Sequence, residues 1–280
     1  MSGFSAHWLA LREPADQRAR NAGIAGMVAQ TLGSAGHVLV CDLGAGTGSS
    51  LRALAPRLPA RQDWLLIDSD PALLAAARGG LTDWADHAEA SGRGFKLAVG
   101  DRRIDVTLRE ADLSGHLEHL LPASLELISS SALIDLVSDS WLDRLAHAAR
   151  RRGAAVLMTL AYAGVERWMP PWPADAEMLA AFIAHQQGDK GFGPALGPQA
   201  AEVLSHKLKR VGYEVVLAPS PWRLTAERDA RLIAVLADGI AAAVTETGSV
   251  PPGRVAAWLA SRQTAVAAEI AHIDLFARLP

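Results

Sequence analysis

Residues 38–51 read VLVCDLGAGTGSSL, an apolar run that leads into three glycines at alternate positions and then into a second segment of small residues. The run Val38–Leu43 is short and apolar and ends at the glycines, which predicts a buried strand. Residues 49–55 predict a helix that stops before Pro56. Because glycine has no side chain, backbone N–H groups in the turn can approach a ligand closely. We therefore expect a strand–turn–helix unit that binds a ligand.

Strand and helix patterns continue to alternate after this unit, with short connections. Further apolar runs predict strands at residues 64–67, 104–108, 125–128 and 154–160. Helices are predicted between them at residues 71–78, where Asp70 is the expected N-cap, and at residues 139–152. The alternation predicts an α/β fold, with a mostly parallel sheet covered by helices on both faces. The ligand is then expected beyond the carboxyl ends of the strands.

The two flanks of this alternating region differ from it. Residues 7–31 predict a helix with Pro14 near its start, and residues 164–198, rich in Pro, Trp and Gly, predict an ordered but irregular insertion. After the insertion, a helix is predicted at residues 199–210 and strands at residues 213–217 and 222–224. Two further helices are predicted at residues 227–244 and 253–271. We expect a single domain over residues 1–280. It would have an N-terminal helical arm at residues 1–35, a core at about residues 36–224 and a C-terminal helical extension at residues 225–280. A lid-like insertion within the core would occupy about residues 163–200. The C-terminal helices either pack on the flank of the sheet or form the interface of a homodimer.

The composition of the chain argues against several classes of protein. The chain has 280 residues, half of them apolar, with 27 basic and 30 acidic side chains and a net charge of −3. This balance is against a nucleic-acid binder that depends on attraction to phosphate. The single cysteine, Cys41, excludes an internal disulfide, and the sequence predicts neither a secretory signal nor an apolar span of about 20 residues. We expect a cytoplasmic protein without a membrane or nucleic-acid partner.

The glycine turn is compatible with more than one ligand. A phosphate-binding P-loop requires Lys followed by Ser or Thr after the glycines, whereas Ser49 and Ser50 stand there. A dinucleotide fold requires a third glycine at the position of Ser49, and Asp42 would repel a pyrophosphate. An NAD(P)-dependent oxidoreductase is therefore disfavoured, although the turn alone does not exclude it.

The turn DLGAGTG, residues 42–48, resembles motif I of the class I S-adenosylmethionine (SAM)-dependent methyltransferases. SAM carries no phosphate, so Asp42 beside the turn is favourable for it. Three later segments resemble further motifs of the family: WLLIDSDPALL, VTLREADL and LELISSSALIDLVSD, at residues 64–74, 106–113 and 125–139. The resemblance extends over about residues 36–224. It implies a Rossmann-like sheet of seven mostly parallel strands, SAM as methyl donor and S-adenosylhomocysteine (SAH) as product.

The resemblance also implies which residues contact the cofactor. Asp68 ends the second predicted strand, where its carboxylate would accept both ribose hydroxyls. Asp112 resembles the acid that accepts the adenine amino group, although a surface turn explains it equally well. Arg18 or Arg20 on the N-terminal helix would pair with the methionine carboxylate. The predicted cofactor-binding residues are Asp42, Gly44, Ala45, Gly46, Gly48, Asp68, Ser69, Asp112, Leu113, Ser129, Ser130 and Arg18.

The methyl acceptor is predicted to be a small metabolite. Ser129, Ser130 and Ser131 stand where the nucleic-acid and glutamine methylating members carry Asn/Asp-Pro-Pro-Tyr/Phe. Cys41 lies inside the first strand, which excludes it as the attacking thiolate of a cytosine-C5 enzyme. We expect transfer to an oxygen, or less readily a nitrogen, by in-line displacement. A SAM-binding sensor or partner subunit without transferase activity is the alternative.

The insertion supplies most of the predicted acceptor site. Its aromatic side chains would form walls and its polar side chains would donate and accept hydrogen bonds, unless the segment is an ordinary solvated helix and turn. The predicted substrate-binding residues are Trp168, Trp172, Gln186, Asp189, Lys190 and Phe192. His185 is the first candidate for a general base and His272 the second. The usual metal-binding spacings of His and carboxylates are missing from the sequence, so no metal is predicted.

Overall fold

A ten-stranded β-sheet forms the centre of the computed structural model, which describes residues 4–92 and 94–280. The strands are β1 Val38–Leu43, β2 Arg61–Asp68, β3 His87–Ser91, β4 Gly94–Val99, β5 Arg102–Glu110, β6 Leu127–Ser131, β7 Ala155–Met169, β8 Glu214–Pro219, β9 Trp222–Thr225 and β10 Ala267–Arg278. The helices are α1 Ala6–Ala19, α2 Ala22–Leu32, α3 Ser49–Leu54, α4 Pro71–Trp84, α5 Leu117–Leu120, α6 Asp139–Arg152, α7 Asp175–Gln186, α8 Ala200–Arg210, α9 Ala226–Thr247 and α10 Pro252–Arg262.

The strands lie in the order β3-β4-β5-β2-β1-β6-β7-β10-β8, and β9 also pairs with β10. The five central strands, from β5 to β7, are parallel. The chain leaves β1 toward β2 on one side and later returns to β6 on the other. The carboxyl ends of β1, β2 and β6 therefore border a crevice at the point where the strand order reverses.

Side chains of β1 point alternately into two hydrophobic cores, one on each face of the sheet. Val38 and Val40 are buried with Leu51 of α3 and Leu81 of α4. Cys41 and Leu43 are buried in a second core that holds apolar residues of α6 and α8. Both faces of the parallel region are thus covered by helices, which explains why every residue of the strand except Asp42 is apolar. The predicted α/β fold class is confirmed.

The prediction of seven strands was wrong, because β3, β4 and β10 were not recognised. The largest error is β10, since residues 253–271 were predicted as one helix. The structure ends helix α10 at Arg262 and forms a strand over Ala267–Arg278, in which buried and partly exposed residues alternate from Ala267 to His272. β10 lies between β7 and β8 and is antiparallel to both. The sheet therefore extends beyond residue 224.

The predicted N-terminal helix over residues 7–31 is two helices. The chain turns at Arg20 and Asn21, whose side chain accepts hydrogen bonds from the backbone N–H groups of Gly23 and Ile24 and caps α2. The Asn21 backbone N–H in turn donates to Asp274 of β10 at 2.8 Å. Pro14 lies inside α1 and not at its start. Helix α1 is thereby placed as a separate element across the end of the sheet.

The insertion and the C-terminal extension form a third packed region. Strand β7 continues to Met169, and the segment predicted to be irregular contains helix α7. Helix α9 packs against α7, α10 and β9, so the C-terminal helices cover a flank of the sheet. The apolar side chains buried there include Trp168, Trp222 and Trp258. None of the helices described is long and apolar enough to cross a membrane.

Candidate functional site

A cavity of about 550 Å³ lies at the carboxyl ends of β1, β2, β5 and β6. This volume falls within the range of roughly 300–1,000 Å³ that small-molecule sites occupy. Its walls come from the glycine turn, the ends of neighbouring strands, helix α1 and the insertion. The lining residues are Phe4, Leu9, Arg12, Asp16, Gly44, Ala45, Gly46, Thr47, Ser49, Ser50, Asp68, Ser69, Asp70, Leu73, Asp112, Leu113, Ser114, Ser131, Ala132, Leu133, Leu136, Lys190, Gly191 and Phe192.

The glycine turn adopts a backbone conformation that residues with a side chain rarely adopt. Gly44, Gly46 and Gly48 have φ angles of 66°, 53° and 78°, all in the left-handed region. A Cβ atom on Gly46 would lie 2.9 Å from the Leu9 side chain of helix α1. The turn is therefore shaped by its glycines and is packed closely beneath α1.

Asp68 connects the glycine turn to the end of β2. Its Oδ2 accepts a hydrogen bond from the Gly46 backbone N–H at 2.8 Å, and its Oδ1 accepts one from the Asp70 backbone N–H at 3.0 Å. The Asp70 side chain caps α4, as predicted from the sequence. Only 9% of Asp68 is exposed. Since each carboxylate oxygen has two lone pairs, Asp68 retains acceptor capacity toward the cavity.

The edge of the cavity beyond β5 is formed by Asp112, Leu113 and Ser114. Both oxygens of Asp112 accept hydrogen bonds from Ser114, one from its backbone N–H at 2.8 Å and one from its hydroxyl at 2.7 Å. These bonds lower the pKa of Asp112. The Trp141 indole N–H donates to the Leu113 carbonyl at 2.7 Å. This edge is therefore fixed both by a hydrogen bond from α6 and by the hydrogen bonds within its own turn.

Helix α1 presents an ion pair to the cavity. The Arg12 guanidinium donates two hydrogen bonds to Asp16, at 2.9 and 3.1 Å. Asp16 also accepts from the Trp222 indole N–H at 2.9 Å, and the Arg12 guanidinium lies 4.9 Å from the Trp222 ring centre. A second pair fastens α1 to α3, because Arg52 donates to both oxygens of Glu13 at 2.7 and 2.6 Å. Opposite charges thus lie side by side on the wall formed by α1.

Several predicted cofactor-binding residues lie beneath the turn and do not line the cavity. Asp42 is 1% exposed, and one of its oxygens accepts from the Ser129 hydroxyl at 2.6 Å. Burial raises the pKa of Asp42 to about 6. Ser130 donates to the Leu43 carbonyl at 2.7 Å, and Gly48 begins helix α3. These residues support the turn from below.

The structure also separates Arg18 from the cavity. Its guanidinium forms an ion pair with Asp229 of α9 at 2.7 Å, because this side of α1 faces the C-terminal helices. Arg20 is half-buried and donates to the Thr159 hydroxyl at 2.9 Å. The predicted cofactor residues that do line the cavity are Gly44, Ala45, Gly46, Asp68, Ser69, Asp112 and Leu113. On α1, Arg12 occupies the place at the cavity that was predicted for Arg18.

Two of the predicted substrate-binding residues, Lys190 and Phe192, line the cavity. Phe192 makes an edge-to-face contact with Trp141, with ring centres 6.0 Å apart. Asp189 instead shapes the loop, since it accepts hydrogen bonds from the backbone N–H groups of Gly191 and Gly193 at 2.7 and 3.0 Å. The insertion therefore reaches the cavity through one short loop.

The other predicted substrate-binding residues lie elsewhere. Trp168 is buried against Trp258, with ring centres 5.7 Å apart, because the extended β7 carries it into the C-terminal core. Trp172 is 41% exposed, and Gln186 lies on α7 outside the cavity lining. The Pro- and Trp-rich stretch thus contributes more to the packing of the C-terminal region than to the cavity walls.

Neither histidine predicted as a base lines the cavity. His185 on α7 pairs with Glu246 of α9 at 2.9 Å. His272 on β10 is buried against Trp222, with ring centres 5.2 Å apart. Burial, with a contribution from the nearby Arg12 charge, lowers the pKa of His272 to about 3. The structure therefore brings neither imidazole together with the glycine turn.

Sequence reasoning missed most of the wall that α1 and the segment after β6 supply. Arg12 and Asp16 are spaced i, i+4, which places them on one face of a helix. That spacing is a usable signal, but it does not reveal which face meets the cavity. The other lining residues absent from the prediction are Phe4, Leu9, Thr47, Ser49, Ser50, Asp70, Leu73, Ser114, Leu133, Leu136 and Gly191. Ser131 and Ala132, at the end of the stretch 129–132 that the resemblance places beside the methionine end of the cofactor, do line the cavity.

Comparison with solved structures identifies the fold. The chain is similar to a candidate methyltransferase from Bacillus halodurans, with a TM-score of 0.51 and 13% identity, over 92% of this chain and 99% of the other. It is equally similar to the YcgJ protein from Bacillus subtilis, with a TM-score of 0.51 and 12% identity, over 93% and 100% of the two chains. No protein-family model and no curated protein matches the sequence. The chain has the class I SAM-dependent methyltransferase fold.

Proposed function

We propose that the cavity binds SAM and that the protein transfers the methyl group to an oxygen, or less readily a nitrogen, of a small metabolite. One observation carries this proposal: a single cavity joins the glycine turn, Asp68 and the edge formed by residues 112–114. The fold separately favours the same ligand. SAH is the expected product, and no metal is needed for the displacement.

The residues around the cavity fit the three parts of SAM. Asp68 has spare acceptor capacity for the ribose hydroxyls. Residues 112–114 offer a turn at the adenine end. The adjacent opposite charges of Arg12 and Asp16 match the carboxylate and ammonium groups of the amino-acid end. The left-handed glycines allow a ligand to approach the backbone between these groups.

The insertion supplies the acceptor side of the cavity. Lys190 places an ammonium group there and Phe192 an aromatic ring. A nearby positive charge lowers the pKa of a hydroxyl group, so Lys190 would favour the ionised form of an acceptor oxygen. Such a reaction gains much of its rate from orientation, which the fixed loop and Phe192 would provide. A small metabolite fits this arrangement better than a nucleic acid, given the net charge of −3.

A SAM-binding sensor without transferase activity is the second candidate. It is favoured by the location of His185 and His272, both of which lie outside the cavity. The contribution of Lys190 and Phe192 to the wall favours the enzyme, because a sensor does not require an acceptor pocket. An NAD(P)-dependent oxidoreductase is disfavoured by Ser49, which stands where a third glycine is needed.

Calorimetry and a transfer assay separate these functions. We expect SAM and SAH to bind the wild type, NADH not to bind, and Asp68→Ala to lose affinity for SAM and SAH. Labelled SAM should then transfer its methyl group to a component of a small-metabolite extract. Binding of NADH without SAM would overturn the proposal. Binding of SAM with no transfer under any condition would support the sensor.

A further inference from the structure

A second cluster of functional side chains lies outside the cavity, on the segment between β5 and β6. His116, Glu118 and His119 each direct one nitrogen or oxygen atom into a common region, and these three atoms lie within 4.8 Å of one another. The His116 Nδ1 and a Glu118 carboxylate oxygen are 3.5 Å apart. The two imidazole rings are nearly perpendicular, with centres 5.4 Å apart. Two imidazoles and a carboxylate thus share one patch of surface.

The backbone that carries this cluster is held in place by helix α6. Arg144 and Arg152, both on α6, donate hydrogen bonds from their guanidinium groups to backbone carbonyls of the segment. The carbonyls held in this way are those of Ser114, Gly115, Glu118, Leu121 and Pro122. Because these bonds fix the segment without using the side chains of the cluster, the three side chains remain available for a ligand. Preorganisation of this kind is what a metal site requires.

We propose that His116, Glu118 and His119 bind one divalent transition-metal ion of the zinc class. Two imidazole nitrogens and a carboxylate oxygen are ligands that zinc accepts, whereas magnesium and calcium prefer oxygen ligands alone. Ligand atoms about 2.0–2.2 Å from a tetrahedral ion lie roughly 3.3 Å apart, so the cluster must contract slightly. The His116 side chain is 79% exposed and can rotate to allow this. Three protein ligands leave a further coordination position open to water.

The second oxygen of Glu118 supports this assignment. It has no hydrogen-bond partner among the described residues and almost no exposed surface. A carboxylate oxygen without a partner costs free energy unless a ligand compensates for it. A cation held by the two histidines and by Glu118 Oε1, the oxygen that faces His116, would offset the negative charge of the whole carboxylate, which includes the buried Oε2. The sequence-based prediction of no metal depended on spacings such as H-x₃-H and H-E-x-x-H, whereas His116 and His119 are three residues apart at the start of α5.

The site is connected to the cavity through the chain. Asp112, Leu113 and Ser114 line the cavity and lie on the same short segment as His116. An ion on His116 and His119 would stiffen this segment, so we expect it to strengthen binding of SAH modestly. This coupling depends on the proposed function, whereas binding of the ion itself does not.

Titration of the tag-free, chelator-treated full-length protein with zinc chloride tests the site. We expect one ion per chain, with affinity reduced by more than about tenfold in His116→Ala and in His119→Ala. His147→Ala is the matched control, since His147 is an exposed histidine on α6 outside the cluster, and it should bind as the wild type does. Cobalt(II) should give the absorption bands of a low-coordinate ion in the wild type and in His147→Ala only. Circular dichroism checks that each variant is folded.

Two outcomes would overturn the proposal. One is the absence of saturable zinc binding by the wild type, and the other is equal binding by all three histidine variants. Calorimetry with SAH, with and without zinc, is measured separately. If SAH fails to bind in both conditions, the proposed function fails while the zinc titration still decides the metal site.

Discussion

The Gly46 backbone N–H donates a hydrogen bond to Asp68 Oδ2 over 2.8 Å, which joins the glycine turn after β1 to the last residue of β2. The turn and the acid are 22 residues apart in sequence. They meet because β1 and β2 are parallel neighbours, so their carboxyl ends lie at the same edge of the sheet. Asp68 therefore fixes the turn, and in the proposed function it would also accept hydrogen bonds from the ribose.

Replacement of Asp68 should reduce cofactor binding strongly. Asp68→Ala removes both the acceptor for the ribose and the bond to Gly46, so we expect SAH affinity measured by calorimetry to fall by about 100-fold or more. Asp63→Ala is the matched control on the same strand, because Asp63 pairs with His37 on the surface. Affinity in Asp63→Ala should equal that of the wild type. Equal affinities in the two variants would contradict the role of Asp68.

The pair of Glu13 and Arg52 should control how fast the cofactor leaves. Both side chains are largely buried, and Arg52 also donates to the Thr47 carbonyl in the glycine turn at 2.9 Å. Glu13→Gln should loosen α1 over the cavity, and we expect SAH dissociation to accelerate several-fold in stopped-flow fluorescence. The coupling between Glu13 and Arg52 should be on the order of 1 kcal/mol in a double-mutant cycle.

A surface pair provides the control for this prediction. Glu269 of β10 pairs with Arg167 on the neighbouring strand β7, at a solvent-exposed position outside the cavity lining. Glu269→Gln should leave SAH dissociation unchanged. If Glu13→Gln also leaves it unchanged, α1 is not held over the cofactor by this pair.

The turn and its strand could be predicted from the sequence because their signals are local. An apolar run ending at Gly44, and an acid at the end of the next strand, specify two elements whose ends must coincide in a parallel sheet. The location of β10 could not be predicted in this way. Its alanines and its mixture of polar and apolar residues also suit a helix, and only pairing with β7 and β8, far away in sequence, selects the strand.

The candidate general bases also show that contacts between residues far apart in sequence could not be predicted. His185 and His272 were selected as residue types that can accept a proton, without knowledge of their neighbours. The structure places one against Glu246 and buries the other beside Trp222. Arg18 was likewise selected on the helix that lines the cavity, but its side chain is on the face that turns away from the cavity. Which face of a helix meets a cavity depends on tertiary packing, here on the pair of Arg18 with Asp229.

The buried carboxyl groups should make stability depend on pH. Burial raises the pKa of Asp42 and of Asp135 from 3.8 to about 6 in each case. Between pH 4 and pH 6 the folded protein retains these protons while the unfolded chain has lost them, so their contribution to stability falls as the pH rises. The pKa of His272, lowered to about 3, acts in the opposite direction over an overlapping range.

Because these effects partly cancel in the wild type, Asp42→Asn isolates one of them. An acid with a pKa raised from 3.8 to about 6 costs about 3 kcal/mol to ionise in the fold. The free energy of unfolding of Asp42→Asn, relative to wild type, should therefore increase by up to that amount between pH 4 and pH 7. Urea unfolding followed by circular dichroism measures it. A difference that is constant with pH would show that Asp42 ionises normally.

Arg12, and not Arg18, should recognise the amino-acid end of the cofactor. Both arginines are on α1, but only Arg12 lines the cavity, while Arg18 faces Asp229. Arg12→Met removes a charged donor to the carboxylate, so we expect SAH affinity to fall by about 10- to 100-fold. The matched variant Arg18→Met should retain most of the affinity.

A truncated ligand distinguishes loss of this contact from a general loss of structure in Arg12→Met. Methylthioadenosine has the adenosine and sulfur of SAH but lacks the amino and carboxylate groups. Its affinity should be nearly the same in the wild type and in Arg12→Met, because Asp68 and residues 112–114 are unchanged. If Arg12→Met weakens both ligands equally, Arg12 acts by supporting α1. If only Arg18→Met selectively weakens SAH, the assignment reverts to Arg18.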